Sequence, residues 1–154
     1  MDGVMKFNMT DNYKEMLEKG LQFQDFVTDI LIKEIGISLS SYSSVKYQNL
    51  KGENKQGFEI KFDDKYCTTG NLYIEISEKT NANNKNYIDS GIFRKDNTWL
   101  YIIGNYNELF IFSKKHLILM YESKKNKEVE TPTSRGMLIK KEDAEKYCIR
   151  KLTY

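Results

Sequence analysis

Three charged side chains, Glu59, Lys61 and Asp63, take every second position of FEIKFD, with Phe58, Ile60 and Phe62 between them. Successive side chains of an extended strand point to opposite faces, so the alternation places two carboxylates and an ammonium together. A carboxylate that holds a hard cation, beside an ammonium that stabilises phosphate charge, is a donor set for metal-assisted phosphodiester hydrolysis. The next alternating segment, NLYIEIS, carries Tyr73, Glu75 and Ser77 on one face and Leu72, Ile74 and Ile76 on the other. A hairpin closed by DDKYCTTG would pair Asp63 with Asn71, setting Glu59 opposite Glu75 and Lys61 opposite Tyr73. Opposed like charges in a sheet cost a few tenths to about 1 kcal/mol unless compensated. Lys61 could compensate, and so could Mg²⁺ or Mn²⁺, which oxygen donors without histidine or thiolate favour over zinc. The same alternation also suits a plainly solvated strand face, and Glu-x-Lys by itself is a common surface pair.

The rest of the composition narrows the chemistry. His116 is the only histidine of the 154 residues, which removes Ser-His-Asp, Cys-His and multi-histidine metal sites unless His116 itself takes part. Carboxylates and lysines must then carry any catalysis. Cys67 and Cys148 stand far apart and form no CxxC pair, so reduced structural thiols are expected rather than zinc or a disulfide framework. The net charge of +2 announces no strongly basic nucleic-acid binder, so any basic surface has to be local. No stretch approaches the ~18 apolar residues of a membrane span, and the chain reads as a cytoplasmic protein of one domain, residues 1–154.

The elements that must position these residues follow from periodicity. From about Asn12 to Ile35 apolar residues recur at three and four, predicting an amphipathic helix with Asp11 as N-cap, Gly36 as terminator and Gly20 as a break. Beyond Gly36 the pattern shifts to short strand-like runs, SVKYQNL, GFEIKFD, NLYIEIS, TWLYIIG, ELFIFS and LILMYE, separated by turn clusters. These predict a meander of mostly antiparallel strands. Short helices are expected near Tyr87 to Arg94 and at KKEDAEKY after the strand-like GMLI, with the charged stretch between LILMYE and GMLI as exposed loop.

An N-terminal helix, a meander carrying Glu59-Ile60-Lys61, the segment IKFDDKYCTTGNLYIEISEK and the later NTWLYIIGNYNELFIFSKKHL together resemble the PD-(D/E)XK nuclease superfamily. The likeness is to its small phage-type members and runs loosely from Gly20 to Ile139. It implies an α+β, restriction-endonuclease-like fold, an N-terminal helix packed on a mixed, mostly antiparallel sheet, and a Mg²⁺- or Mn²⁺-dependent DNA endonuclease. It also implies Glu59 as metal ligand, Lys61 as catalytic lysine, and an acidic residue near the end of the preceding strand. SVKYQNL has no Asp or Glu, leaving Gln48 and Glu53 nearest; Gln24, with Asp25 beside it, stands on the first helix. Either Glu53, Asp25 and Glu75 supply the missing carboxylates, with Asp63 in reserve, or the fold has lost efficient catalysis. The second case describes a non-catalytic, nuclease-like DNA- or protein-binding module of phage origin.

Lys55, Arg94, Lys95, Lys114, Lys115 and Arg135 flank turns or strand ends and suit phosphate contacts that position a DNA backbone, although each also suits a solvated surface. Trp99, Tyr101, Phe110 and Phe112 are expected in the core. A homodimer is expected by analogy with other small nucleases.

Overall fold

The structure is a computed structural model that describes residues 2–36 and 57–154, with side chains described from Lys14 onward. The chain forms two compact units, residues 1–39 and 40–154. It is an α+β protein with an N-terminal helix and mixed, mostly antiparallel sheets.

The first unit is helix α1, Asp2–Ile30, continued by one π-helical turn, Leu31–Ile35. Gly36 stops it in the left-handed region at φ 72°, its amide returning to the Ile32 carbonyl. The helix begins before Asp11 and runs unbroken through Gly20, because a single glycine costs a helix only about 1 kcal/mol.

The described residues of the second unit contain two four-stranded sheets. The first takes β1 (Phe58–Phe62), β4 (Leu100–Gly104), β5 (Glu108–Ser113) and β8 (Arg150–Thr153) in that order. The second takes β3 (Ile88–Asp89), β2 (Asn71–Glu78), β7 (Ser134–Lys140) and β6 (Lys127–Glu130). Among the described residues this unit also has three short α-helices: α2 (Tyr66–Thr69), α3 (Lys114–Glu122) and α4 (Lys141–Tyr147).

The expected β1–β2 hairpin does not form. β1 runs parallel to β4, pairing Glu59 with Tyr101 and Lys61 with Ile103, while β2 pairs antiparallel with β7. A parallel pair needs a long crossover, and residues 63–99 supply it while contributing β2 and β3 to the other sheet. SVKYQNL lies outside the described residues. LILMYE is the body of α3 rather than a strand: Ser113 caps it through the His116 amide, and Leu117 and Met120, three apart, are buried. A short apolar run reads alike as strand or buried helix. The segment from Tyr87 to Arg94 forms β3 and one 3₁₀ turn, Gly91–Phe93, in place of a helix, and the charged stretch before GMLI forms β6 and the start of β7. KKEDAEKY matches α4 as expected.

One core joins the two sheets. Leu72, Ile74 and Ile76 of β2 meet Met137 and Ile139 of β7, Tyr101 and Ile103 of β4, Phe110 and Phe112 of β5, Leu117 of α3 and Ala144 of α4. Partners opposite one another share a face, so Glu59 and Lys61 lie on the same side of their sheet as Tyr101, Ile103, Phe110 and Phe112. The polar face of β1 thus looks toward the core and its margin.

Around the core, Glu108 ties several elements together. Its carboxylate accepts from the Tyr66 hydroxyl at 2.8 Å and pairs with Lys141 and Lys151 at 3.1 and 3.2 Å. Burial pushes this carboxyl up, but the Tyr66 hydroxyl and the two ammonium groups outweigh it and hold it below the usual carboxylate range. A depressed folded value stabilises above the unfolded pKa and is lost as pH falls through the folded one. Glu108→Gln should therefore cost on the order of 1 kcal/mol at neutral pH. In thermal melts followed by circular dichroism, the gap between the two proteins should close below about pH 4.

Candidate functional site

Where the chain leaves β1 for β2, the two strands diverge into different sheets. Asp63 stands at the fork, 9 % exposed, accepting from the Tyr66 amide at 3.1 Å through one oxygen and from the Tyr73 amide at 2.9 Å through the other. Burial raises its pKa, against the opposing pull of these backbone donors. Among the described residues, the β2 edge on this side pairs with a strand only at Ser77 and Glu78, through β3. The Tyr73 amide that a hairpin would have engaged goes to Asp63 instead.

A cavity of about 370 Å³ occupies the divergence. Lys61, Asp63, Tyr73, Glu75 and Tyr101 supply polar groups, with Asp64 and Lys65 also in its lining, while Phe62, Ile103 and Leu138 supply apolar wall. Lys61 and Glu75 therefore converge on one space from two different sheets rather than across a hairpin. Glu59 lies behind Lys61: it is 2 % exposed and its carboxylate is 2.8 Å from the Lys61 ammonium. A carboxylate so buried needs a charged or hydrogen-bonding partner, and Lys61 provides it.

Glu75 is oriented from below. The Ser90 hydroxyl, itself fully buried, donates to its Oε1 at 2.7 Å. The adjacent Gly91 permits this approach, because at φ 54° a Cβ there would stand 2.0 Å from the Glu75 carbonyl oxygen.

Sequence reasoning placed Tyr101 in the core and missed its polar end. The residue is 1 % exposed, and its hydroxyl is buried with it. Burial, then the charge of Glu59 and a hydrogen bond to it, then the charges of Asp96 and Glu75, push its pKa far above the ordinary tyrosine range. The hydroxyl therefore stays protonated, a donor facing Glu59. A hydroxyl within the apolar run WLYII was the one signal that could have marked it.

The other candidates fall elsewhere. Glu53 and Lys55 lie outside the described residues, and Asp25 is exposed on α1. Lys114, 11 % exposed, is held by Asp96 at 3.1 Å and the Arg94 carbonyl at 2.7 Å. Arg94 is 3.5 Å from Glu78; burial disfavours its charge, but Glu59 and Glu78 outweigh that and raise its pKa. Arg135 lies over the Tyr87 ring at 3.9 Å and 3.5 Å from Glu130. Lys95 and Lys115 are exposed. Among the described residues, no three His, Cys, Asp or Glu side chains form a group that could hold a metal ion. No described helix is long and apolar enough to cross a membrane.

Comparison of the chain with known protein families, characterised proteins and solved structures found no match.

The fork can be tested directly. Asp63→Ala strips two backbone donors of their acceptor and should cost about 2–4 kcal/mol in urea unfolding. Asp63→Asn keeps one acceptor oxygen but turns an NH₂ toward the other amide, and should cost about half as much or more.

Proposed function

We propose that this chain is a Mg²⁺- or Mn²⁺-dependent DNA endonuclease that hydrolyses phosphodiester bonds at the cavity between β1 and β2. The observation that carries the reading is the convergence of Lys61 and Glu75 on one cavity from separate sheets, with Glu59 in contact with Lys61. The resemblance of the Glu59-x-Lys61 segment to PD-(D/E)XK nucleases supports the same chemistry.

The donor set suits a hard cation. Mg²⁺ is commonly held by one or two carboxylates, with water and substrate phosphate completing its shell. Glu59 and Glu75, whose charges both act on the buried Tyr101 hydroxyl, would supply those carboxylates. Glu53, outside the described residues, is a further ligand suggested by sequence. A divalent ion held there would supply Lewis-acid stabilisation of a phosphoryl oxygen and acidify a bound water.

The protein's own groups do the rest. Lys61 sets an ammonium on the cavity wall, where it can offset charge gathering on the attacked phosphate. Its contact with Glu59 holds that ammonium on the wall while no phosphate is present. Ser90 keeps Glu75 turned to a fixed rotamer, and Tyr101 offers a proton that its raised pKa prevents it from losing. Asp63, with both oxygens committed to the backbone, serves the site by holding the fork open.

Incubating supercoiled plasmid with Mg²⁺ or Mn²⁺ should convert it to nicked and linear forms. Lys61→Ala and Glu75→Gln should each slow this by roughly 100-fold or more, the loss typical of removing one transition-state contact. Cleavage that survives both substitutions would place the activity elsewhere. Absence of cleavage, together with no Mn²⁺ binding in calorimetry, would favour the non-catalytic DNA- or protein-binding module.

A further inference from the structure

The cavity offers more than charge. Beside Lys61 and Glu75, its walls include Tyr73, Tyr101, Ile103 and Leu138, drawn from β2, β4 and β7. Contact with a backbone phosphate alone would call for exposed cations and little else. An aromatic and aliphatic slot of about 370 Å³ instead lies near the lower end of the roughly 300–1,000 Å³ typical of small-molecule sites.

Tyr73 is held rigidly on this wall. Its hydroxyl and the Ser134 hydroxyl are 2.7 Å apart, and its ring lies against Gly136, where a Cβ would come within 2.5 Å of it. At the rim, Asn71 and Thr131 add amide and hydroxyl groups. The slot thus combines an apolar wall, hydrogen-bonding groups, the carboxylates of Asp63, Asp64 and Glu75, and the ammonium groups of Lys61 and Lys65; the wall and the hydrogen-bonding groups match a base, and the ammonium groups its phosphate.

We propose that the cavity receives one unpaired base of DNA, so that the substrate is single-stranded DNA or a nucleotide displaced from the helix rather than intact duplex. This deepens the endonuclease reading above and rests on it for the chemistry that follows binding. A base within a duplex is stacked on both sides and enters a pocket only by extrusion, which costs least where the base is already unpaired. Contact between a base and an aromatic wall is tolerant of sequence, since every base has a flat π-face. Lys61, on the same cavity, meets the phosphate attached to the seated base.

The test is fluorescence anisotropy in EDTA, so that binding is read without cleavage. The probes are a labelled, roughly 12-nucleotide single-stranded oligodeoxynucleotide and the same strand in a duplex. The single strand should bind about tenfold or more tightly than the duplex. Leu138→Trp, which fills the slot with an indole, should abolish that preference, and Tyr73→Ala should weaken single-strand binding by roughly tenfold. Circular dichroism establishes that each variant is folded, and the comparison of the two probes on the unaltered chain decides the matter if neither is. Equal affinity for the two probes overturns the proposal, as does a folded Leu138→Trp protein that binds the single strand as tightly as the original. Equal affinities alongside plasmid cleavage dependent on Lys61 would remove this inference and leave the endonuclease reading standing. Single-strand preference without cleavage would do the reverse.

Discussion

One carboxylate satisfies the backbone where the second unit divides into two sheets. Asp63 accepts from the amides of Tyr66 and Tyr73 at the point where the chain leaves one sheet for another. A buried backbone donor without an acceptor is costly, and at this fork no strand takes the Tyr73 amide. With Asp63 serving both donors, β1 can join β4 while β2 joins β7, and their edges stay apart. The cavity is the space this separation leaves.

The same separation gives the charges on β1 an unusual setting. Glu59 and Lys61 share a face with Tyr101 and Ile103, so alternation carries them toward the core margin instead of bulk water. Glu59 is almost wholly buried and paired to Lys61 at 2.8 Å. Replacing a buried ion pair by apolar residues is often neutral or stabilising, so stability alone is a weak reason to keep one there. The proposed chemistry of the cavity would give the pair a reason beyond stability.

Several cations that seemed free in the sequence are part of the scaffold. Lys114 fastens the segment after the 3₁₀ turn through Asp96 and the Arg94 carbonyl, and Arg94 lies beside Glu78. Arg135 packs on Tyr87 beside Glu130. Their electrostatic reach toward a polyanion is reduced by these partners, and the ammonium groups on the cavity wall are those of Lys61, itself paired with Glu59, and Lys65.

Local pattern was enough for the sequence to determine the first helix and its stop at Gly36, the helix after GMLI, and which residues of β1 and β2 share a face. Those features depend on neighbours three or four positions apart, or two in a strand, and the spacing of apolar residues records them. Glu59, Lys61 and Glu75 were legible as candidates for that reason. Which strand each one pairs with was not legible, because alternation specifies a face and says nothing about a partner distant in sequence. Tertiary structure sent β1 to Leu100–Gly104 through a long crossover, made LILMYE a helix under its Ser113 cap, and turned Asp63 from a reserve ligand into a backbone clasp. It alone brought Lys61 and Glu75 to one cavity, since that outcome depends on how two sheets meet.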